Sequence, residues 1–280
     1  MNRIRNSWGL VKASWAVLRA DKELIVFPIV STIGAIIVTL TFAIPMIISG
    51  LFASLSNGRG GSQVTAILFA FLFYLVQYTV IFYCNSALVG AAMIRLKGGD
   101  PTVRDGFRIA SQHVGAIIGY ALIASTMGMV LRWLSGKGLV GRIVASLFGL
   151  AWNIATYLVV PVLVMENVGP IDAVKRSTQL LKKTWGEQIT GNLGIGLVFG
   201  LITLLLFVIF IPAIVIAAST HSVAIVIAVI LMFVLVIMIV SLIGSALNGI
   251  YTAAVYRFAA EGNAGTYFEA GLVENAFRAK

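Results

Sequence analysis

Residues 222–258 read SVAIVIAVILMFVLVIMIVSLIGSALNGIYTAAVYRF, with no charged side chain before Arg257. Roughly 20 apolar residues in a helix cross the ~30 Å hydrocarbon core of a bilayer. This stretch exceeds one crossing, so it predicts a helix that tilts, kinks or protrudes into water. Five further runs meet the same criterion: Leu24–Leu55, Val64–Ile94, Val114–Trp133, Leu139–Met165 and Ile189–Ala218. Pro28, Pro45, Pro161 and Pro212 fall inside these runs. Neighbouring helices can satisfy the carbonyls that such prolines free.

Composition agrees. Apolar residues make up 60% of the 280 positions, charged residues 11%, and the mean hydropathy is +1.01. A soluble domain carries about 25% charged residues. Six spans and their connections nearly exhaust the chain, which leaves no separate extramembrane domain. The amphipathic, charged segment before Leu24 is unlike a cleavable signal, whose apolar core is shorter than the first run here. Cys84 is the only cysteine, so no disulfide forms within the chain.

The net charge of +10 would suggest nucleic acid in a soluble protein. Here it follows the spans instead. With six crossings, one side receives Arg3, Arg5, Lys12, Arg19, Lys22, Arg95, Lys97, Arg104, Arg108, Lys175, Arg176, Lys182, Lys183, Arg257, Arg278 and Lys280. The other receives Arg59, Arg132, Lys137 and Arg142. That asymmetry predicts a cell-membrane protein with both termini cytoplasmic. Nucleic-acid binding needs a folded basic surface, and no segment is long enough to build one.

The connections on the basic side carry helical periodicity. Ile4, Trp8, Val11, Trp15 and Leu18 recur at steps of four and three, with Arg5, Lys12 and Arg19 alongside. Ile171, Val174, Leu181 and Trp185 repeat the plan beside Lys175, Arg176, Lys182 and Lys183. Val103, Phe107, Ala110 and Val114 repeat it weakly beside Arg104 and Arg108. Such helices lie in the bilayer interface, with Trp8, Trp15, Phe107 and Trp185 as anchors and the cations directed at lipid phosphates.

An offset of 170 places Ser7, Leu10, Lys12 and Trp15 on Ser177, Leu180, Lys182 and Trp185. Ala91-Ala92-Met93-Ile94-Arg95 resembles Ala253-Ala254-Val255-Tyr256-Arg257. These echoes predict one all-α integral membrane domain over residues 1–280. Its six transmembrane helices form three hairpins, each preceded by a cytoplasmic interfacial amphipathic helix. The pseudo-repeats fall at about 1–97, 98–168 and 169–262, followed by a cytoplasmic tail at 263–280.

Three segments carry a resemblance: Asn2-Arg3-Ile4-Arg5-Asn6-Ser7-Trp8, Asp21-Lys22-Glu23-Leu24, and Val168-Gly169-Pro170-Ile171-Asp172-Ala173-Val174-Lys175-Arg176-Ser177. On these the chain resembles a prokaryotic six-span membrane family of unknown function. That family is similar in layout to the membrane domain fused to some glycerophosphodiester phosphodiesterases. The resemblance implies an architecture and no activity.

Catalytic chemistry finds little to stand on. His113 and His221 fall on opposite membrane faces, and the ten carboxylates all lie on the basic side. Asp21, Asp100 and Asp172 occupy helix-capping positions. No His-Glu-x-x-His, Gly-x-Ser-x-Gly or phosphate-loop pattern occurs. The chain is expected to be no enzyme and to use no cofactor or metal. No ionisable residue lies deep in a span, unlike ion-coupled carriers. Gln77, Asn85, Asn153 and Asn248 supply neutral polarity there. They predict either interhelical hydrogen bonds or a polar axis. Gly115/Gly119, Gly196/Gly200 and Ser241/Ser245/Gly249 have the four-residue spacing of close helix packing. The leading expectation is a lipid-interacting scaffold, membrane organiser or lipid-handling module whose partners are anionic membrane lipids. The alternatives are a passive channel or uncoupled transporter, with a homo-oligomer as one form of it, and an accessory subunit of a membrane enzyme.

Overall fold

The computed structural model describes residues 2–48, 60–185, 194–269, 271 and 273, without the side chains of 2–6, 60–63, 185, 194 and 197. Every regular element among them is helical: α1 (Asn2–Ala20), a 3₁₀ turn (Lys22–Ile25), α2 (Val26–Ile48), α3 (Gly60–Leu96), α4 (Val103–Gln112), α5 (Val114–Ser135), α6 (Gly138–Ala155), α7 (Val159–Met165), α8 (Pro170–Trp185), α9 (Gly194–Ser219) and α10 (Val223–Glu261). Six stretches are long and apolar enough to cross a membrane: Lys22–Ile48, Val64–Leu96, Val114–Ser135, Gly138–Met165, Val198–Ser219 and Val223–Glu261. The expected start of the fifth run at Ile189 and the expected end of the first at Leu55 lie outside the described residues.

The fourth stretch is two helices. Proline lacks an N–H, and its ring crowds the carbonyl four residues earlier. Pro161 thereby breaks the helix at Thr156–Leu158, between α6 and α7. The interruption is closed locally, because the Leu158 N–H donates to the buried Ser177 Oγ of α8 at 3.0 Å. Pro45 and Pro212, by contrast, stay inside continuous helices.

α3 is the central element: α2, α4, α5, α7 and α10 all pack on it. α5 packs along α6, α9 along α10, and α1 lies across α9 and α10. Buried side chains collect at the end of the bundle that carries α1, α4 and α8, called here the basic end. Leu10 and Val17 of α1, Leu88 and Met93 of α3, Leu163 of α7, Leu181 of α8 and Tyr251 of α10 join there in one cluster. The opposite halves of α2, α9 and α10 are apolar and exposed, from Ile33 to Ile48, Leu201 to Ile216 and Val223 to Ile239. In hydrocarbon such surfaces have no drive to associate, so the packed core forms where the connections add protein cover.

Close helix approach occurs at some of the small residues and not at others. A methyl group on Gly249 would run into Leu88, and one on Gly119 would lie 2.9 Å from Pro170 Cγ. Gly115, Gly196 and Gly200 face open space. Spacing by four alone did not distinguish them. α10 ends at Gly262, whose φ of 74° is the left-handed cap that glycine adopts without strain. Beyond it, Ala264, Phe268 and Val273 are buried in the core cluster.

Candidate functional site

The basic residues do not share one environment. In α1, Leu10, Ala13, Ser14, Val17 and Leu18 are buried, whereas Lys12 and Arg19 are exposed. Trp8 and Trp15 are 49% and 46% exposed on that same outward side. α1 thus holds the protein with one face and presents Trp8, Lys12, Trp15 and Arg19 on the other. α8 repeats the division: Ala173, Ser177, Leu180 and Leu181 are buried, and Ile171, Lys175, Lys182 and Lys183 are exposed. The side chains of Arg5 and Trp185 lie outside the described residues.

Four of the expected lipid contacts also meet protein groups. The Phe107 ring sits edge-on to Phe27 at 5.2 Å and stacks on Tyr83 at 5.9 Å. It joins α4 to α2 and α3 and is partly buried there. Arg176 directs Nε at both carboxylate oxygens of Glu166, at 3.0 and 2.8 Å, and Tyr256 Oη donates to the same carboxylate at 3.2 Å. Lys175 pairs with Asp172 and Arg108 with Asp105, while Arg104 is exposed. The Glu166–Arg176–Tyr256 group was not visible in the sequence, since its members lie up to 90 positions apart.

The same end is tied together by charge. Arg95 donates to the Ala20 carbonyl that ends α1, at 3.1 Å, and to Gly99 and Asp100. Arg257, its counterpart in the sequence echo, donates to the Leu96 carbonyl and pairs with Glu261. The Glu23 carboxylate accepts the Val103 N–H at 2.8 Å, and Thr102 and Asp105 form a reciprocal capping box. The Thr102 hydrogen bonds hold the Asp105 carboxyl below the usual carboxylate range, while burial pushes that of Asp21 up.

The four carboxamides behave differently from either simple expectation. Gln77 and Asn85 are half-buried on α3, and Asn153 and Asn248 are exposed on α6 and α10. None hydrogen-bonds through its side chain to another described residue, and the enclosed Gln77 Oε1 has no partner among them. Interhelical contacts are made instead by hydroxyls. Thr252 Oγ1 lies 3.5 Å from Tyr157 Oη, and Tyr120 bonds Thr156. The hydroxyl of the fully buried Tyr251 has no partner among the described residues. No group of three His, Cys, Asp or Glu side chains that could hold a metal occurs among them either. His113 Nδ1 donates to the Ile109 carbonyl at 2.9 Å, and Cys84 is buried.

The described residues have the makings of a multi-helix membrane protein: every regular element among them is helical, and six stretches are long and apolar enough to cross a membrane. Within that class, the model for a family of unknown function, DUF6159, matches residues 63–267, and the chain belongs to that family. No curated protein and no solved structure matches it.

Proposed function

We infer that this is a non-enzymatic multi-pass protein of the cell membrane whose basic end engages anionic lipid. It would act as a scaffold, membrane organiser or lipid-handling module. The observation that carries the reading is the two-sided burial of α1. The helix is fixed by Leu10, Val17 and Leu18, and it leaves Trp8, Lys12, Trp15 and Arg19 together on its outward face. Tryptophan at headgroup depth beside cations facing phosphates is the arrangement of an interfacial helix. Each Lys or Arg near the surface of an anionic leaflet contributes about 1 kcal/mol.

Burial also supports three hairpins derived from a repeat. Ser7 and Ser177 are buried at the proposed offset, as are Leu10 and Leu180, while Lys12 and Lys182 are exposed. The excess of cations on one side supports cytoplasmic termini. The carboxamides that lack partners favour a second reading, an uncoupled transporter or passive channel.

The test uses full-length protein purified from membranes of mixed phosphatidylglycerol and phosphatidylcholine. Wild type should retain phosphatidylglycerol in excess of its bulk fraction. Changing Lys12, Arg19, Lys175, Lys182 and Lys183 to Gln should remove that excess and leave membrane insertion intact. Equal enrichment in the variant would overturn the reading.

A further inference from the structure

The cations at the far end of the spans, away from the basic end, fall mainly on one connection. α4 leads through His113 alone into α5, which carries the chain about 32 Å from Val114 to Ser135. Gly136 and Lys137 then turn it back into α6 at Gly138. Arg132 stands in the last turn of α5, and Arg142 stands one turn into α6. Arg132, Lys137 and Arg142 are all exposed. Of the other far-end connections, one contributes Arg59 and the other, at 219–222, no lysine or arginine.

Nothing acidic accompanies these cations. No Asp or Glu occurs between Glu23 and Asp100, between Asp105 and Glu166, or between Glu187 and Glu261, and each far-end connection falls in one of those intervals. The ion pairs among the described residues, from Arg95–Asp100 to Arg257–Glu261, all sit at the basic end. The far-end cations also oppose the charge asymmetry that orients a membrane chain, so orientation does not account for them.

Two of the three are held by aromatic side chains. Arg132 Nη1 donates to Tyr74 Oη of α3 at 2.7 Å. Tyr74 in turn stacks on Tyr78 at 6.2 Å, and Tyr78 on Phe82 at 5.6 Å. Tyr74 takes up one of five guanidinium N–H donors, and the others meet no acceptor among the described residues. Lys137 Nζ lies 4.6 Å from the ring centroid of Trp133, which is itself 65% exposed. Leu139, Val140 and Ile143, which follow in α6, are exposed and apolar. A two-residue turn between apolar helix ends cannot rise clear of the headgroup layer, so these cations meet lipid at phosphate depth.

We propose that the α5–α6 turn binds the phosphate of an anionic phospholipid in the leaflet opposite the basic end. Arg132, restrained by Tyr74, presents its remaining N–H donors to phosphate oxygens, and Lys137 adds a second positive charge. A lipid also supplies acyl chains to cover Leu139 and Val140, which a free phosphate ion lacks. The turn would give the protein a lipid contact in each leaflet. The inference uses none of the basic-end cations and stands apart from the reading above.

The experiment reconstitutes the full chain in phosphatidylcholine vesicles with a trace of phosphatidylglycerol that carries a diazirine in its headgroup. A galactosyl diacylglycerol with the same diazirine and no phosphate serves as the comparison. After irradiation, labelled peptides are mapped by mass spectrometry. The phosphate lipid should label residues 132–143 in clear preference to the uncharged one. The double change Arg132→Gln, Lys137→Gln should cut that labelling about tenfold, as expected for two lost cations at the surface. Tyr74→Phe, which alters no charge, should cut it about threefold by releasing Arg132. Equal labelling by the uncharged lipid, or labelling indifferent to these changes, overturns the proposal. So does loss of labelling in excess inorganic phosphate at constant ionic strength, which would make the free ion the ligand. Disulfide dimers formed in the membrane by Lys137→Cys in a Cys84→Ala background would show that a second copy covers the turn, with the same consequence. The five changes to Gln at the basic end should leave labelling of the turn intact, and the double change should leave labelling of α1 and α8 intact. Failure of the basic-end reading and failure of this site are thereby separate outcomes.

Discussion

The Leu158 N–H donates to Ser177 Oγ at 3.0 Å, so a side chain of α8 satisfies the backbone group exposed by the break before Pro161. Ser177 is fully buried, as are Leu163 and Leu181 of the same core. The break in the fourth span and the docking of α8 are therefore one device. The break re-aims the chain so that Glu166 reaches Arg176 and Tyr256.

Ser177→Ala should destabilise the fold by about 1–3 kcal/mol, the cost of a buried donor left without an acceptor. Denaturant unfolding in detergent reads this directly. A variant with wild-type stability would show that the bond contributes nothing to holding α8.

The spans were legible because charge is nearly absent from them, and a run such as 222–258 admits no other reading. The capping box at Thr102 and Asp105 was likewise open to a local reading. The kink before Pro161 was signalled only by the proline, since its closure depends on Ser177, nineteen positions away. Phe107 had the spacing of an interfacial anchor, but spacing cannot show that Phe27 and Tyr83 take up its ring. The expected hydrogen bonding of the carboxamides fails for a related reason. Depth in the membrane can be read from position in a span, whereas the direction of an amide depends on which helices meet.

Gly106 lets α4 lie against α3: a Cβ there would come within 2.7 Å of the Ala87 carbonyl oxygen and collide with the Phe27 ring. Gly106→Ala should cost about 1–3 kcal/mol, as other overpacked sites do. Gly115, exposed on α5 with nothing within 4 Å, provides the opposite case. Gly115→Ala should raise stability by up to about 1 kcal/mol through helix propensity alone. If both substitutions shift the thermal midpoint the same way, the close approach at Gly106 is not what limits that position.

Burial raises the Asp21 carboxyl above the ordinary carboxylate range, against the smaller opposing effects of its hydrogen bond to Glu23 and of Arg95. The folded state then binds a proton more readily than the unfolded chain. The stabilisation from that proton is complete below the unfolded value near 3.9 and is lost as pH rises through the folded value. Asp21→Asn should remove this loss. Its thermal midpoint should exceed that of wild type at pH 7, and the gap should close in acid. A gap independent of pH would assign the effect to packing.

The two faces of α1 predict opposite consequences for residues five positions apart. Leu10 is 1% exposed and joins the core cluster, so Leu10→Ala removes buried side-chain volume and should cost about 2–5 kcal/mol in detergent-solubilised protein. Trp15 is 46% exposed, so Trp15→Ala should change stability by no more than about 0.5 kcal/mol. Its effect should emerge in a bilayer. Brominated lipids quench tryptophan at headgroup depth, and quenching should fall in Trp15→Ala and in Trp8→Ala but stay at the wild-type level in a stability-matched core variant. Were Trp15→Ala to unfold the protein as readily as Leu10→Ala, the outward face of α1 would be covered by protein, and the lipid contact would move to α8.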